Sequence, residues 1–256
     1  MAAFDLARRL KAGETVYAAW AFMGAPVVAE AIARNGFSAV VLDMQHGLWD
    51  TAAVVAGIAA VAQAGAAPIV RVPLNDFAFA SRALDFGAEA IIAPMINSVG
   101  DALKFSAAAK FPPLGERSWG PSRAMTLQGK SATVDYLRAA NDGTLSMAMI
   151  ETPAALAQVD EIAETPGIDA LFIGPYDLST ALSAGTAQDV EAAEVERAID
   201  KIGAAAKAAG KIPGIYCTNA ERARALAQRG FRFITVGSDL GYLREGMAAQ
   251  VKGLKS

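Results

Sequence analysis

The chain has 256 residues, 54% of them apolar and 19% charged, a composition that supplies a large core and excludes a disordered chain. A formal charge of −3, dispersed Lys and Arg and only 7% aromatic residues exclude the footprint of a nucleic-acid binder. One cysteine, Cys217, cannot form an internal disulfide, and the charged start MAAFDLARRLKAGE lacks the apolar core of a signal peptide, so a cytoplasmic location is expected.

In chain order, short β-branched and apolar runs predict eight strands: 15–20, 38–44, 67–72, 88–95, 144–150, 169–174, 211–217 and 231–237. The stretch 51–70 is uncharged for a length that could span a bilayer, but it carries Gln63, Gly65 and Pro68 and is read as a helix, a turn and the start of a strand. Between strands, Ala-rich segments repeat at helical spacing, as at Val195, Ile199, Ile202, Ala206 and Ala209. Thr152 before Pro153 predicts a helix cap, and Thr218 with Glu221 has capping-box spacing. Gly36, Gly65, Gly87, Gly167, Gly210 and Gly230 each fall after a helix and before a strand, where a left-handed C-cap is wanted. The long region 97–143 predicts helices near 98–109 and 131–140, and "AMTLQGKS" (124–131) is read as a helix start, not a P-loop, because the first glycine is Ala124 and no strand precedes it.

Eight alternating units predict a single-domain α/β fold over 1–256, a TIM (β/α)8 barrel, with an open doubly wound sheet as the alternative. In a barrel the strand C-termini carry the chemistry, and there the sequence places Trp20, Asp43 with His46, Arg71, Glu151 and Asp177, with Cys217 and Ser238 completing the circle. His46, the only histidine, is a candidate base whose ring Asp43 could orient, or a loop residue. Arg71 suits a substrate carboxylate held in a bidentate pair, or an ion pair with an acid on a neighbouring strand. Glu151 and Asp177 could share a divalent cation with water and a chelating substrate, or form a solvated pair. One His and one Cys are too few for a zinc site, and Cys217 is read as a small buried residue before a nucleophile.

The ordered motifs "LDMQHG", "VRVPLND", "LDFGAEAIIAPMINS", "FPPLGERSWG", "MIET" and "LFIGPYDLS" resemble the HpcH/HpaI aldolase family, the class II metal-dependent pyruvate aldolases of the 4-hydroxy-2-oxoheptanedioate aldolase type, from about residue 4 to 245. The resemblance implies a hexameric TIM barrel, a trimer of dimers whose C-terminal helices are exchanged between subunits. It implies that a 4-hydroxy-2-oxo acid is cleaved to pyruvate or hydroxypyruvate and an aldehyde through an enolate stabilised by a divalent metal ion, Mg²⁺, Mn²⁺ or Co²⁺. By the same resemblance His46 is the base and Asp43 its companion, Arg71 holds the 2-oxo acid and the enolate, and Glu151 and Asp177 are the metal ligands. Gly174, Pro175, Tyr176 and Asp177 line the substrate carboxylate, with Trp20 beside the substrate. Asp85 is implied to raise the basicity of the histidine, although its place before the fourth strand puts it on the opposite face of its own barrel, which leaves either supply by a neighbouring subunit or a different helix boundary. Two positions depart from the family pattern: Gln45 stands where Glu is common and Met149 where Gln is frequent. Related alternatives are a citramalyl- or malyl-CoA-type lyase and a catalytically silent 2-oxo acid binding protein. Neither nucleic acid nor a membrane is expected as a partner.

Overall fold

A computed structural model describes residues 4–129 and 133–255. Eight strands, β1 (Val16–Ala21), β2 (Ala39–Asp43), β3 (Ala67–Arg71), β4 (Ala90–Ala93), β5 (Leu145–Ile150), β6 (Ala170–Ile173), β7 (Ile212–Cys217) and β8 (Phe233–Ser238), pair in parallel in sequence order and close with β8 against β1. The predicted strands are all present, β4 shorter than its apolar run because 88, 89, 94 and 95 lie outside the ladder. Residues 51–70 split as expected into the helix Thr51–Gln63, capped by Asp50, and the start of β3. Among the described residues no helix is long and apolar enough to cross a membrane.

Alternation along the strands builds two apolar layers. Val16, Ala18, Val41, Ile69, Ile92, Met147, Phe172 and Phe233 fill the barrel interior, while Val40, Leu42, Val70, Ile91, Ala148 and Leu171 pack beneath the helices. Bulky Phe172 and Phe233, ring centroids 5.8 Å apart, share this interior with alanines at 18, 39, 67, 90 and 170, a mix of large and small side chains that fills a closed barrel.

Helix boundaries follow local chemistry. Thr152 accepts the Ala155 amide with Pro153 at the first helical position, as predicted. The helix Ala220–Gln228 is capped one residue later than its capping-box spacing indicated: Asn219 in extended backbone accepts the Arg222 amide. The six predicted C-cap glycines all have positive φ; at Gly87 (φ 113°) the helix Phe77–Phe86 ends and the chain turns at once into β4. The region between β4 and β5 holds the two expected helices, Val99–Ala109 and Thr133–Gly143, and a short one, Ser122–Leu127, that the sequence reading missed. Residues 124–127 therefore end a helix instead of starting one, and residues 130–132 lie outside the described residues.

The N-terminal end of the barrel is plugged by the helix Asp5–Lys11, whose Leu6 and Leu10 join the interior layer. Glu89, 5% exposed, accepts the Leu6 amide at 3.0 Å. Burial, with a smaller push from the charge of Asp5, raises its carboxyl from 4.5 to about 7. Between those values the native chain holds a proton that the unfolded chain has released, so stability falls as pH rises through the window. Glu89→Gln keeps the acceptor oxygen and cannot ionise. It should match the parent near pH 4 and exceed it at pH 8 by up to about 3 kcal/mol, at about 1.4 kcal/mol for each pKa unit, as read from urea midpoints. An identical difference at both pH values would remove Glu89 from the acid-base account of stability.

Candidate active site

The parity that fills the barrel also aims the polar residues. Counting by twos, Trp20 follows Val16 and Ala18, Asp43 follows Ala39 and Val41, Arg71 follows Ala67 and Ile69, Glu151 follows Met147 and Met149, and Gly174 follows Phe172. Each therefore faces inward at the C-terminal end. There a cavity of about 210 Å³ opens, lined by Trp20, Phe22, His46, Arg71, Met149, Phe172, Gly174, Pro175, Tyr176, Asp177 and Tyr216.

Asp43 and Arg71 are register partners across β2 and β3. Arg71 Nε and Nη2 donate to the two Asp43 oxygens at 2.8 and 2.5 Å, and Trp20 Nε1 donates to Asp43 Oδ2 at 3.0 Å. The Gln45 and His46 amides also donate to Asp43 Oδ1, at 3.0 and 3.3 Å. Both Asp43 and Arg71 are buried, so this dense hydrogen bonding is what offsets their loss of hydration. The guanidinium also lies 4.8 Å from the Trp20 ring centroid.

Two sequence expectations change here. Asp43 grips Arg71 and the backbone of the following turn, not the His46 ring, because its register partner is closer than a residue on the loop beyond. Arg71 forms the ion pair with an acid on a neighbouring strand that the sequence also allowed, so Nε and Nη2 of its fork are taken and no bidentate face is left for a ligand. His46 itself is exposed on the cavity rim.

Glu151, directly after β5, is 1% exposed. Its Oε1 accepts the Met95 amide at 2.8 Å, and its Oε2 is buried without a partner. Met95 takes φ 53°, a left-handed conformation that costs a non-glycine residue roughly 1–2 kcal/mol. Burial, reinforced by the nearby charge of Asp177, raises the Glu151 carboxyl to about 7. A Cβ at Gly174 would overlap Glu151 Oε2, so only glycine leaves the space above that oxygen free. Asp177 is exposed in the first turn of the helix Pro175–Leu182, not at a strand end, and the amides of Tyr176 and Asp177 there have no intrahelical acceptor. Among the described residues no group of three or more His, Cys, Asp and Glu forms a metal cage. The orphan Oε2 beside Asp177 fits a hard divalent cation that takes two protein oxygens and completes its shell with water and substrate.

Asp85 lies elsewhere. It sits near the end of the helix Phe77–Phe86, which carries the chain back to the N-terminal face, and there it accepts from Arg117 Nη2 at 2.6 Å. Within one chain it does not meet His46. Cys217 is buried, and burial pushes its thiol up to about 12, so it is no nucleophile at neutral pH. Ser238 caps the C-terminal helix by accepting the Gly241 amide. Phe22, Met149, Phe172 and Tyr216 line the cavity although they were not among the sequence candidates; the inward count by twos reaches all four. Of the two departures, Met149 forms cavity wall, and Gln45 leaves Oε1 buried without a partner.

The C-terminal end of this TIM barrel thus gathers an arginine, a histidine and a carboxylate around one cavity, with the buried Glu151 carboxylate beneath Gly174, the arrangement of an enzyme site for a small polar molecule. The sequence model of HpcH/HpaI aldolase/citrate lyase matches residues 17–246, and the chain belongs to that family. It is 40% identical over 231 residues, 90% of each chain, to a hydroxypyruvate/pyruvate aldolase of Rhizorhabdus wittichii. It is 33% identical to a 4-hydroxy-2-oxo-heptane-1,7-dioate aldolase of Salmonella dublin, over 94% of this chain and 90% of that one. The crystal structure of an HpcH/HpaI aldolase/citrate lyase family protein from Burkholderia cenocepacia superposes with a TM-score of 0.88 at 32% identity, covering 98% of this chain and 99% of the other.

Proposed function

We propose that the chain is a class II pyruvate aldolase that reversibly cleaves a 4-hydroxy-2-oxo acid to pyruvate or hydroxypyruvate and an aldehyde. The observation that carries this reading is the single cavity on which Arg71, His46, Asp177 and the Gly174 space above Glu151 Oε2 converge. Its modest volume and one arginine favour a small oxo acid over an acyl-CoA thioester.

Glu151 and Asp177 would hold a divalent cation, Mg²⁺, Mn²⁺ or Co²⁺, which when bound supplies Lewis-acid polarisation of the C2 carbonyl. The free amides of Tyr176 and Asp177 receive the C1 carboxylate at a helix N-terminus. In cleavage His46 takes the proton of the C4 hydroxyl, the C3–C4 electrons pass toward C3 as the aldehyde leaves, and His46 returns the proton to C3 to give pyruvate. Arg71 Nη1 offsets charge on the enolate oxygen, held in place by Asp43 and Trp20. Met149 and Phe172 keep water from the carbanionic carbon. Pyruvate release from a 4-hydroxy-2-oxo acid, coupled to lactate dehydrogenase and run with each metal, tests the reading; no release with any of several acids and metals rejects it.

Arg71→Lys keeps a charge but neither the paired contact with Asp43 nor Nη1. It should lower kcat/KM by roughly 10²-fold or more, the loss typical of one transition-state donor. Turnover and pyruvate affinity near those of the parent would reduce Arg71 to a structural ion pair.

The chain's own copies are its proposed macromolecular partners. The helix Asp239–Leu254 exposes Leu240, Leu243, Met247, Val251 and Leu254 along one stripe, an apolar face that suits exchange between subunits of a homo-oligomer, a hexamer built as a trimer of dimers. Met247→Glu should yield a smaller species by light scattering, and an unchanged mass would argue against this stripe as the interface. A reducing cytoplasm suits the one buried thiol.

A further inference from the structure

The cavity has two chemically different ends. Toward the barrel axis lie Arg71, the Glu151 oxygen beneath Gly174 and the free amides of the Pro175–Leu182 helix. Toward solvent the wall is aromatic: Tyr216 stands edge-on to Trp20 at 5.7 Å and 6.1 Å from Tyr176, and Phe22 lies 6.5 Å from Trp20. Apart from His46, Arg71 and Asp177, every lining residue is aromatic, aliphatic or a thioether. Arg71 is the one lining residue with a permanent positive charge, and Nε and Nη2 of its fork already serve Asp43.

A 2-oxo acid donor uses up the polar end, so the acceptor aldehyde must place its remaining atoms against the aromatic end. A carboxylate there would lose water, find as its one permanent cation an arginine whose Nε and Nη2 already serve Asp43, and share the rim with Asp177. An apolar or aromatic substituent instead gains burial and ring contacts. We propose that the acceptor is an uncharged aldehyde with an apolar or aromatic side chain, clasped between Phe22, Tyr176 and Tyr216. This assignment rests on the aldolase reading above. In the synthetic direction His46 takes a proton from the pyruvate methyl group, C3 bonds to the aldehyde carbon, and the resulting alkoxide takes the proton back.

The test uses the full chain with Mn²⁺ and pyruvate as donor, comparing benzaldehyde and hexanal with succinate semialdehyde. The two apolar acceptors should exceed the carboxylated one in kcat/KM by at least about tenfold, a discrimination within reach of one pocket contact. Phe22→Arg and Tyr216→Arg, each placing a cation on the aromatic wall, should narrow that gap. Equal or better use of succinate semialdehyde by the parent chain overturns the proposal, as does a ratio that neither substitution moves. Deuterium uptake into the pyruvate methyl group without aldehyde is read on the same preparation. Uptake with the opposite acceptor ranking rejects the acceptor assignment alone, whereas no uptake rejects the aldolase reading and the assignment with it.

Discussion

Replacing Glu151 with Gln is expected to remove divalent-metal binding and aldol cleavage together. The substitution is isosteric and its amide oxygen can still accept from Met95, so the barrel should fold. It lacks the negative charge that a cation would meet at Oε2, and Asp177 alone remains. Lewis-acid assistance is worth several kcal/mol, so cleavage should fall by roughly 10³-fold or more at about 1.4 kcal/mol per decade. Calorimetric titration with Mn²⁺ checks the binding half directly, and affinity within tenfold of the parent would falsify the assignment of Glu151 as a ligand. Because burial holds this carboxyl near 7 in the metal-free protein, cation binding must displace a proton below that pH. Apparent Mn²⁺ affinity should therefore weaken as pH falls from 7 toward 5.

His46→Ala should have the second largest effect and a different signature. The ring is exposed on the rim and makes no hydrogen bond to Asp43 through its side chain, so its loss leaves the Asp43, Arg71 and Trp20 cluster intact. Metal and pyruvate should still bind, while exchange of the pyruvate methyl protons into deuterated water slows by roughly 10²- to 10⁴-fold, the usual contribution of a general base. NMR without any aldehyde isolates that step. Exchange as fast as in the parent protein at saturating metal would assign the proton transfer to another group, a metal-activated hydroxide first.

Much of this site was legible because a strand alternates. Once eight strands are marked, the positions two apart that end in Trp20, Asp43, Arg71 and Glu151 point inward together, and the same count reaches Met149, which the sequence reading marked only as a departure from the family pattern, and Phe172 and Tyr216, which it did not name. Register between strands is another matter. It depends on the stagger of the closed barrel, which local patterns do not encode, so the pairing of Asp43 with Arg71 could not be separated from a pairing with His46. Phe22, one residue past β1, continues the count from Trp20 in the way Glu151 and Gly174 do, whereas Met95 lies two residues beyond β4 in a left-handed turn that no composition signal marks. The Asn219 cap was missed for a simpler reason: Thr218 and Asn219 are both good caps, and backbone geometry chose between them.

The cross-strand contact between Asp43 and Arg71 has an evolutionary corollary. These residues belong to the ladder that closes the barrel, and Met44 donates its amide to the Arg71 carbonyl at 3.0 Å. Their geometry is thus protected by the cooperative stability of the whole domain, and it loosens only in openings that approach global unfolding. Phe22 and His46 ride on connecting segments outside that ladder, where change is tolerated more readily. Substrate scope can drift at the rim of such a protein while the charge-stabilising pair beneath stays fixed by the fold itself.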